Sequence, residues 1–190
     1  MKRVWLHLRE EKFSGDRSLM VDALLRASGC SADDVQFAYG CRVCGSSEHG
    51  KPRVVSPAGW YISVSRAEKM VAVAVTRSAD VGVDITSVAA VSRADIGPVA
   101  RHEADDGETT REIAESWAAK EAVLKATGWG LHLEPSTVGI AEGEVQFWPA
   151  ELELHDAPSL GIFEVNDLVG AVVVLGQPGT IRLEMLSYGA

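Results

Sequence analysis

The chain has 190 residues, and an apolar content of 46% with 24% charged residues is ordinary for a soluble globular protein. The formal net charge of −9 argues against a general nucleic-acid binder, whose footprint would be a strong basic patch. No apolar run approaches the length of a membrane span and no signal peptide is evident, so we expect a cytoplasmic protein. We also expect a monomer.

The first half of the chain is predicted to contain mainly strands and one helix. Val4, Leu6 and Leu8 occupy alternate positions, which predicts an opening strand. Asp16 is the expected N-cap of a helix over residues 17–27. Further short strands are predicted over residues 35–39, 53–56, 61–65, 70–75 and 81–85. Their close spacing, with turns between them, predicts an antiparallel meander.

The second half is predicted to be helical at first and to return to strands. A long helix should begin at Thr109 or Thr110 and run to Ala126, because Glu112 stands in its first turn and Gly128 follows its end. Short strands are predicted over residues 137–140, 145–148, 162–165, 168–175 and 181–185. This order of elements predicts an α+β protein.

Two carboxylates in this pattern are candidate metal ligands. Asp84 lies near the end of the predicted strand VGVDIT, where charged ligands of open α/β sheets commonly bind. Glu121 lies on the long helix, with Lys125 one turn further along. Carboxylates suit Mg²⁺, and Lys125 could meet a phosphate that the metal also meets. The alternatives are an exposed ion pair between Glu121 and Lys125, and an aspartate that only caps a strand end.

Three cysteines in a chain without an evident export signal do not suggest a disulfide framework. Cys41-x-x-Cys44, with His49 nearby, could supply three zinc ligands, and Cys30 could supply a fourth. The spacing between Cys30 and Cys41 is irregular for a structural zinc finger. A loop without metal is therefore the alternative interpretation.

Four ordered blocks of residues occur between about residue 17 and residue 130. The main pair is GVDI at 82–85, followed about thirty residues later by W-x-x-K-E-A-x-x-K at 117–125. Two further blocks precede this pair: RSL with LLR at 17–26, and HGKP with YISVS between residues 49 and 65. In this order, the four blocks resemble the signature of the Sfp-type 4′-phosphopantetheinyl transferases.

The resemblance implies a fold of two similar halves, 1–90 and 91–190, related by a pseudo-twofold axis, each a small antiparallel sheet packed by a long helix. It implies transfer of the 4′-phosphopantetheine arm of coenzyme A to a serine of an acyl or peptidyl carrier protein. Adenosine 3′,5′-bisphosphate would be released, and Mg²⁺ would be required. Such carriers serve polyketide, nonribosomal peptide or fatty acid biosynthesis.

The resemblance also implies which residues bind the co-substrate. Arg26 and Lys51 match positions that grip the 3′-phosphate of coenzyme A, and Arg17 belongs to the same set. Ser65 and Arg66 stand where the family usually has Ser-His, so a cation for the phosphate is retained.

For catalysis the resemblance implies that Asp84 and Glu121 hold Mg²⁺ and that Lys125 steadies the leaving phosphate. Glu121 and Lys125 are thus catalytic candidates. Glu103 stands roughly where the family has its catalytic glutamate, and His102 competes with it for the role of general base.

Thr86 departs from the family, which often has an acid two residues after the motif aspartate. With Arg66, this departure motivates a second hypothesis. The chain would then be a degenerate relative that binds coenzyme A or a carrier protein without transfer.

Overall fold

A computed structural model describes residues 1–10, 16–94 and 96–186, and only the backbone of residues 16, 97 and 98. The predicted capping side chain of Asp16 therefore lies outside the described part. The helices are α1 Asp16–Ser28, α2 Val88–Ala94, α3 Gly97–Ala100 and α4 Thr110–Thr127. The strands are β1 Lys2–Glu10, β2 Gln36–Gly40, β3 Lys51–Ser56, β4 Tyr61–Ala67, β5 Met70–Thr76, β6 Val81–Ser87, β7 Gly139–Ala141, β8 Glu144–Phe147, β9 Ser159–Val165, β10 Leu168–Val174 and β11 Ile181–Leu186.

The predicted α+β class is confirmed, since two small sheets are packed by helices. One sheet has the strand order β11-β1-β5-β4, and α1 packs against it through Leu19, Met20 and Leu24. The other has the order β6-β10-β9, and α4 packs against β6 and β10. The paired strands are antiparallel apart from β1 and β11, which run parallel. Two hairpins, β2-β3 and β7-β8, complete the described strands.

Each sheet draws strands from both halves of the sequence. β6, from the first half, pairs with β10, and β11, from the second half, pairs with β1. The division at residue 90 stays a prediction, but neither sheet is built from one half alone.

The predicted meander is wrong beyond the β4-β5 pair. β5 pairs with β4 on one edge and with β1 on the other, as in the match of Trp5 with Val75. No edge of β5 is left for β6, so β6 joins the second sheet instead. β3 likewise pairs with β2 rather than with β4.

Two serines of β4 join the two sheets. The backbone N–H of Val83 donates to Oγ of Ser63 at 3.0 Å, and the N–H of Ile85 donates to Oγ of Ser65 at 3.3 Å. Buried N–H groups without a partner are costly, and these hydroxyls supply the partner where no strand does. The alternation in YISVS thus aims both serines at β6.

Helix α4 begins and ends as the sequence predicts. Thr109 is its N-cap in a capping box with Glu112, and Gly128 follows its last turn with φ 82°. The helix crosses β6 very closely at Gly82, where an added Cβ would overlap the carbonyl oxygen of Ala122. The glycine of GVDI is therefore what lets α4 approach β6, two residues before Asp84.

Candidate functional site

Asp84 and Glu121 lie at one cleft, although 37 positions separate them in the sequence. Asp84 comes from β6 and Glu121 from α4, and each is only 6% exposed. Both line a cleft of about 520 Å³. Two carboxylates buried side by side repel each other, so this arrangement favours a bound cation.

Lys125 and Ser65 both contact Asp84. Nζ of Lys125 donates to Oδ1 of Asp84 at 2.6 Å, and Oγ of Ser65 donates to the same oxygen at 2.6 Å. Nζ of Lys125 also lies 3.0 Å from Oγ of Ser65. The three groups form a compact polar cluster, and the Lys125 side chain is still 27% exposed to the cleft.

The pKa of Glu121 is also affected by its burial next to Asp84. Burial and the negative charge of Asp84 raise the pKa of Glu121 to about 7, and the Lys125 ammonium opposes this rise. Glu121 is therefore an acid that changes its charge near neutral pH.

The alternative of an exposed ion pair between Glu121 and Lys125 is wrong. Glu121 is buried, and the ammonium of Lys125 contacts Asp84 and Ser65. The helix turn places Lys125 near Glu121, but β6 lies close enough to offer a better acceptor.

Arg66 and Thr86 line the cleft as well, so the two departures from the family pattern both fall at this site. Arg66 is exposed on β4, directly after Ser65. The cleft also holds Glu68, in the turn between β4 and β5 at φ 53°, which the sequence analysis missed. Only its place next to the YISVS strand could have suggested it. Trp117, the first residue of the helix motif, also lines the cleft.

Lys51 lines an adjoining cavity of about 280 Å³, which shares Val64 and Lys125 with the cleft. Its Nζ donates to the Asp80 carboxylate and to the carbonyl oxygen of Ala126 near the end of α4. Burial lowers the pKa of Lys51, and the charge of Asp80 opposes this shift. The ammonium thus lies between two protein oxygens, and Lys51, Asp80 and Ala126 together line a further cavity of about 590 Å³.

Arg17 and Arg26 are not brought to the cleft. Among the described residues that line it, neither occurs. The guanidinium of Arg17 lies over the ring of Phe37, 5.6 Å from its centroid. Nε of Arg26 pairs with Asp22 one turn earlier on α1, at 3.0 Å. Their predicted contact with the 3′-phosphate stays untested.

Glu103 is exposed in the loop before α4 and, within the described ranges, is not among the residues that line the cleft. Nδ1 of His102 accepts the N–H of Ala104 at 3.0 Å, and its ring stacks on Phe147 at a centroid distance of 5.3 Å. A ring fixed in this way has a packing role, which weakens the case for His102 as a base.

Lys120, the first lysine of the helix motif, points away from Asp84. It is fully buried, and its Nζ binds the Asp105 carboxylate and the carbonyl oxygen of Ala100. Asp105 also accepts the backbone N–H groups of His102 and Ile140, at 2.9 Å each. This cluster anchors the loop before α4 to both the helix and β7.

Comparisons with known proteins find no sequence match and a distant structural similarity. No protein-family model matches the chain, and no curated protein matches it. The structure is similar to a crystal structure of Helicobacter pylori holo-[acyl-carrier-protein] synthase in complex with coenzyme A. The TM-score is 0.41 and the identity 20%, over 50% of this chain and 99% of the other. That likeness is too weak to assign an activity.

In the described residues, no helix is long and apolar enough to span a membrane.

Proposed function

We propose that this chain is a 4′-phosphopantetheinyl transferase that modifies a serine of an acyl or peptidyl carrier protein. The observation that carries the proposal is the joint burial of Asp84 and Glu121 at one cleft beside Lys125. These are the residues that the motif resemblance selects for metal and phosphate. Their convergence from two distant segments is expected if the motifs serve one site.

The donor set fits Mg²⁺. Asp84 and Glu121 offer two hard carboxylates, and Mg²⁺ usually takes one or two of these and fills its shell with water and phosphate oxygens. Thr86 stands where the family often has an acid, so the site has one carboxylate fewer. A water molecule can take the place of this missing ligand. When bound, Mg²⁺ would neutralise charge on the pyrophosphate of coenzyme A.

Lys125 is the residue that would meet the reacting phosphate. Its ammonium already lies on Asp84, within the cleft and partly exposed. A pyrophosphate seated there gives it a second anion without a large movement. Lys125 would then stabilise the charge that develops as the bond between the two phosphorus groups breaks.

The serine oxygen of the carrier would attack the phosphorus that bears the pantetheine arm. Adenosine 3′,5′-bisphosphate leaves with the bridging oxygen, and the serine proton passes to a base. Glu103, exposed in the loop before α4, is the candidate base that the motif order selects, and His102 is the alternative.

The adjoining cavities give the co-substrate room. The cleft of about 520 Å³ and the cavity of about 280 Å³ share Val64 and Lys125, so one extended ligand can occupy both. Arg66 lines the first and would add positive charge beside the phosphates. Lys51 lines the second, and its ammonium binds Asp80 and the carbonyl oxygen of Ala126. The carrier protein would approach the open side, where its serine can reach the pyrophosphate.

Mass spectrometry of an apo carrier protein tests the proposal. The carrier is incubated with this chain, coenzyme A and Mg²⁺, and a parallel sample contains EDTA. A metal-dependent gain of one phosphopantetheine mass is expected. Binding of coenzyme A without any gain on several unrelated carriers would favour the degenerate relative, for which Thr86 and Arg66 are the motivating residues.

A further inference from the structure

Three potential metal ligands converge in the loop between β2 and β3, outside the Asp84 cleft. The ligand atoms of Cys41, Cys44 and His49 all lie within 4.8 Å of one another. Sγ of Cys44 is 3.3 Å from Nε2 of His49. Cys41 is buried, whereas Cys44 and His49 are exposed. In the part of the chain that the structure describes, this is the one group of at least three His, Cys, Asp or Glu side chains whose ligand atoms lie this close together.

The backbone turns tightly between the two cysteines. The N–H of Gly45 donates to the carbonyl oxygen of Cys41 at 2.9 Å, and the N–H of Cys41 donates to the carbonyl oxygen of Ser46 at 2.9 Å. Gly45 has φ 72°, a conformation that favours glycine. This turn brings the two sulfur atoms close enough to bind one ion.

A second glycine brings the histidine to the cysteines. Gly50 has φ 98°, and an added Cβ there would lie 2.7 Å from Cα of Cys41 and would overlap the carbonyl oxygen of Gly40. Only glycine allows the chain to pass so close to Cys41. The close pass sets His49, the preceding residue, beside the sulfur atoms.

We propose that Cys41, Cys44 and His49 bind a zinc ion that ties the β2-β3 loop together. Two thiolates and one imidazole are a soft donor set that suits Zn²⁺ and does not suit Mg²⁺. Water completes the tetrahedral shell. The expectation of Cys30 as a fourth ligand is wrong, because Cys30 packs against the apolar cluster around α1 and is absent from the ligand group.

The zinc would fix one wall of the cavity beside the cleft. Cys41 and His49 line that cavity together with Lys51 and Lys125. The loop has a second anchor, since Nη2 of Arg42 lies 2.5 Å from Glu153 and its guanidinium lies over the ring of Trp129. Loss of the metal should therefore leave the fold intact, so ligand variants remain testable.

Elemental analysis of the untagged full chain, purified with reductant and without chelator, tests the site. About one zinc per chain is expected in the wild type and in the control Cys30→Ala. Cys44→Ala and His49→Ala should each lower the zinc content or the Zn²⁺ affinity at least about tenfold. A titration of Zn²⁺ into chelated, reduced protein against a chromophoric chelator supplies the affinity, and circular dichroism checks the fold.

Cobalt gives an independent readout. Co²⁺ bound at the site should produce a thiolate charge-transfer band that Cys44→Ala reduces and Cys30→Ala retains. Zinc well below one per chain with no binding on titration would overturn the proposal. So would stoichiometric zinc retained in both ligand variants, or a Cys41–Cys44 disulfide that persists in place of metal binding.

Discussion

Lys125 donates a hydrogen bond to Asp84 on a neighbouring strand at 2.6 Å, rather than pairing with Glu121 one turn before it on its own helix. Helix spacing alone favours the local pair, which is worth only a few tenths of a kcal/mol. The close crossing of α4 over β6 at Gly82 makes the longer-range acceptor available. Lys125 therefore neutralises Asp84, and Glu121 stays buried beside this carboxylate with no paired cation among the described residues. The cleft should for this reason bind a cation next to Glu121.

Removal of either buried carboxylate should abolish metal-dependent transfer. Asp84→Asn and Glu121→Gln keep the side-chain shape but lose a charged ligand, so we expect transfer to fall by about 10²-fold or more. Glu115→Gln, a matched change on the same helix that does not line the cleft, should retain activity. Mass spectrometry of the carrier at fixed Mg²⁺ measures the rates. Full activity in both cleft variants would contradict the proposed transferase.

The raised pKa of Glu121 predicts an unusual dependence of stability on pH. The unfolded carboxyl titrates near 4.5 and the folded one near 7, so the folded state holds an extra proton between these values. The free energy of unfolding should fall as pH rises through this window, by up to about 3 kcal/mol. Asp84 and Lys125 are the charged groups that face Glu121, and Glu121→Gln should remove the effect.

Urea unfolding in EDTA at pH 5, 6 and 8 measures this dependence. The wild type should lose stability relative to Glu121→Gln across the series, and Mg²⁺ should restore it above pH 7, where both carboxylates are charged. If the free energies of unfolding of the two proteins differ by the same amount at every pH, then Glu121 titrates normally and the prediction is contradicted.

The sequence predicted local features well because they depend on neighbouring residues. The cap at Thr109 and the end at Gly128 bound α4 within a residue or two of the expected limits. The approach of Asp84 to Glu121 was expected only from the family motifs. The pairing of β6 could not be predicted, because it depends on β1 occupying the free edge of β5, and β1 lies 60 residues or more away in the sequence. For the same reason, the pairing of Lys51 with Asp80 was missed.

A comparison of coenzyme A with 3′-dephospho-coenzyme A should locate the grip on the 3′-phosphate. The residue that contacts this group will, when changed to alanine, weaken binding of coenzyme A without weakening binding of the dephospho form. We expect this behaviour for Lys51→Ala or Arg66→Ala, because both line the joined cavities. The loss should be about tenfold or more, as for a charge-assisted hydrogen bond.

Isothermal titration calorimetry with both ligands measures these affinities, and Arg26→Ala is the comparison. The guanidinium of Arg26 pairs with Asp22 on an exposed face of α1, so this variant should bind both ligands with nearly wild-type affinity. A selective loss in Arg26→Ala would instead support the role that the family resemblance implies for this residue.

Gly82→Ala should separate α4 from β6. The added methyl group would overlap backbone atoms of α4, which cannot move aside as a flexible side chain can. We expect a loss of about 2 kcal/mol or more in the free energy of unfolding, together with weaker Mg²⁺ binding. Gly179→Ala is the control, since its Cβ would meet nothing within 4 Å. Equal stability of the two variants would contradict the close crossing.

The two lysines of the helix motif should have opposite phenotypes. Lys120 is fully buried against Asp105, so Lys120→Met leaves a buried carboxylate without its cation and should cost about 3 kcal/mol or more of stability. Lys125 lies at the cleft and is partly exposed, so Lys125→Met should change stability less and reduce transfer strongly. Denaturant unfolding and the carrier assay, run on both variants under conditions where each is folded, separate the two effects. Lys120→Met with Asp105→Asn should recover part of the lost stability, because it removes the unpaired charge. The recovery should be incomplete, since Asp105 accepts one backbone N–H group on each of its two oxygens and an amide has only one acceptor oxygen. No recovery at all would mean that the lost stability does not come from the unpaired charge of Asp105.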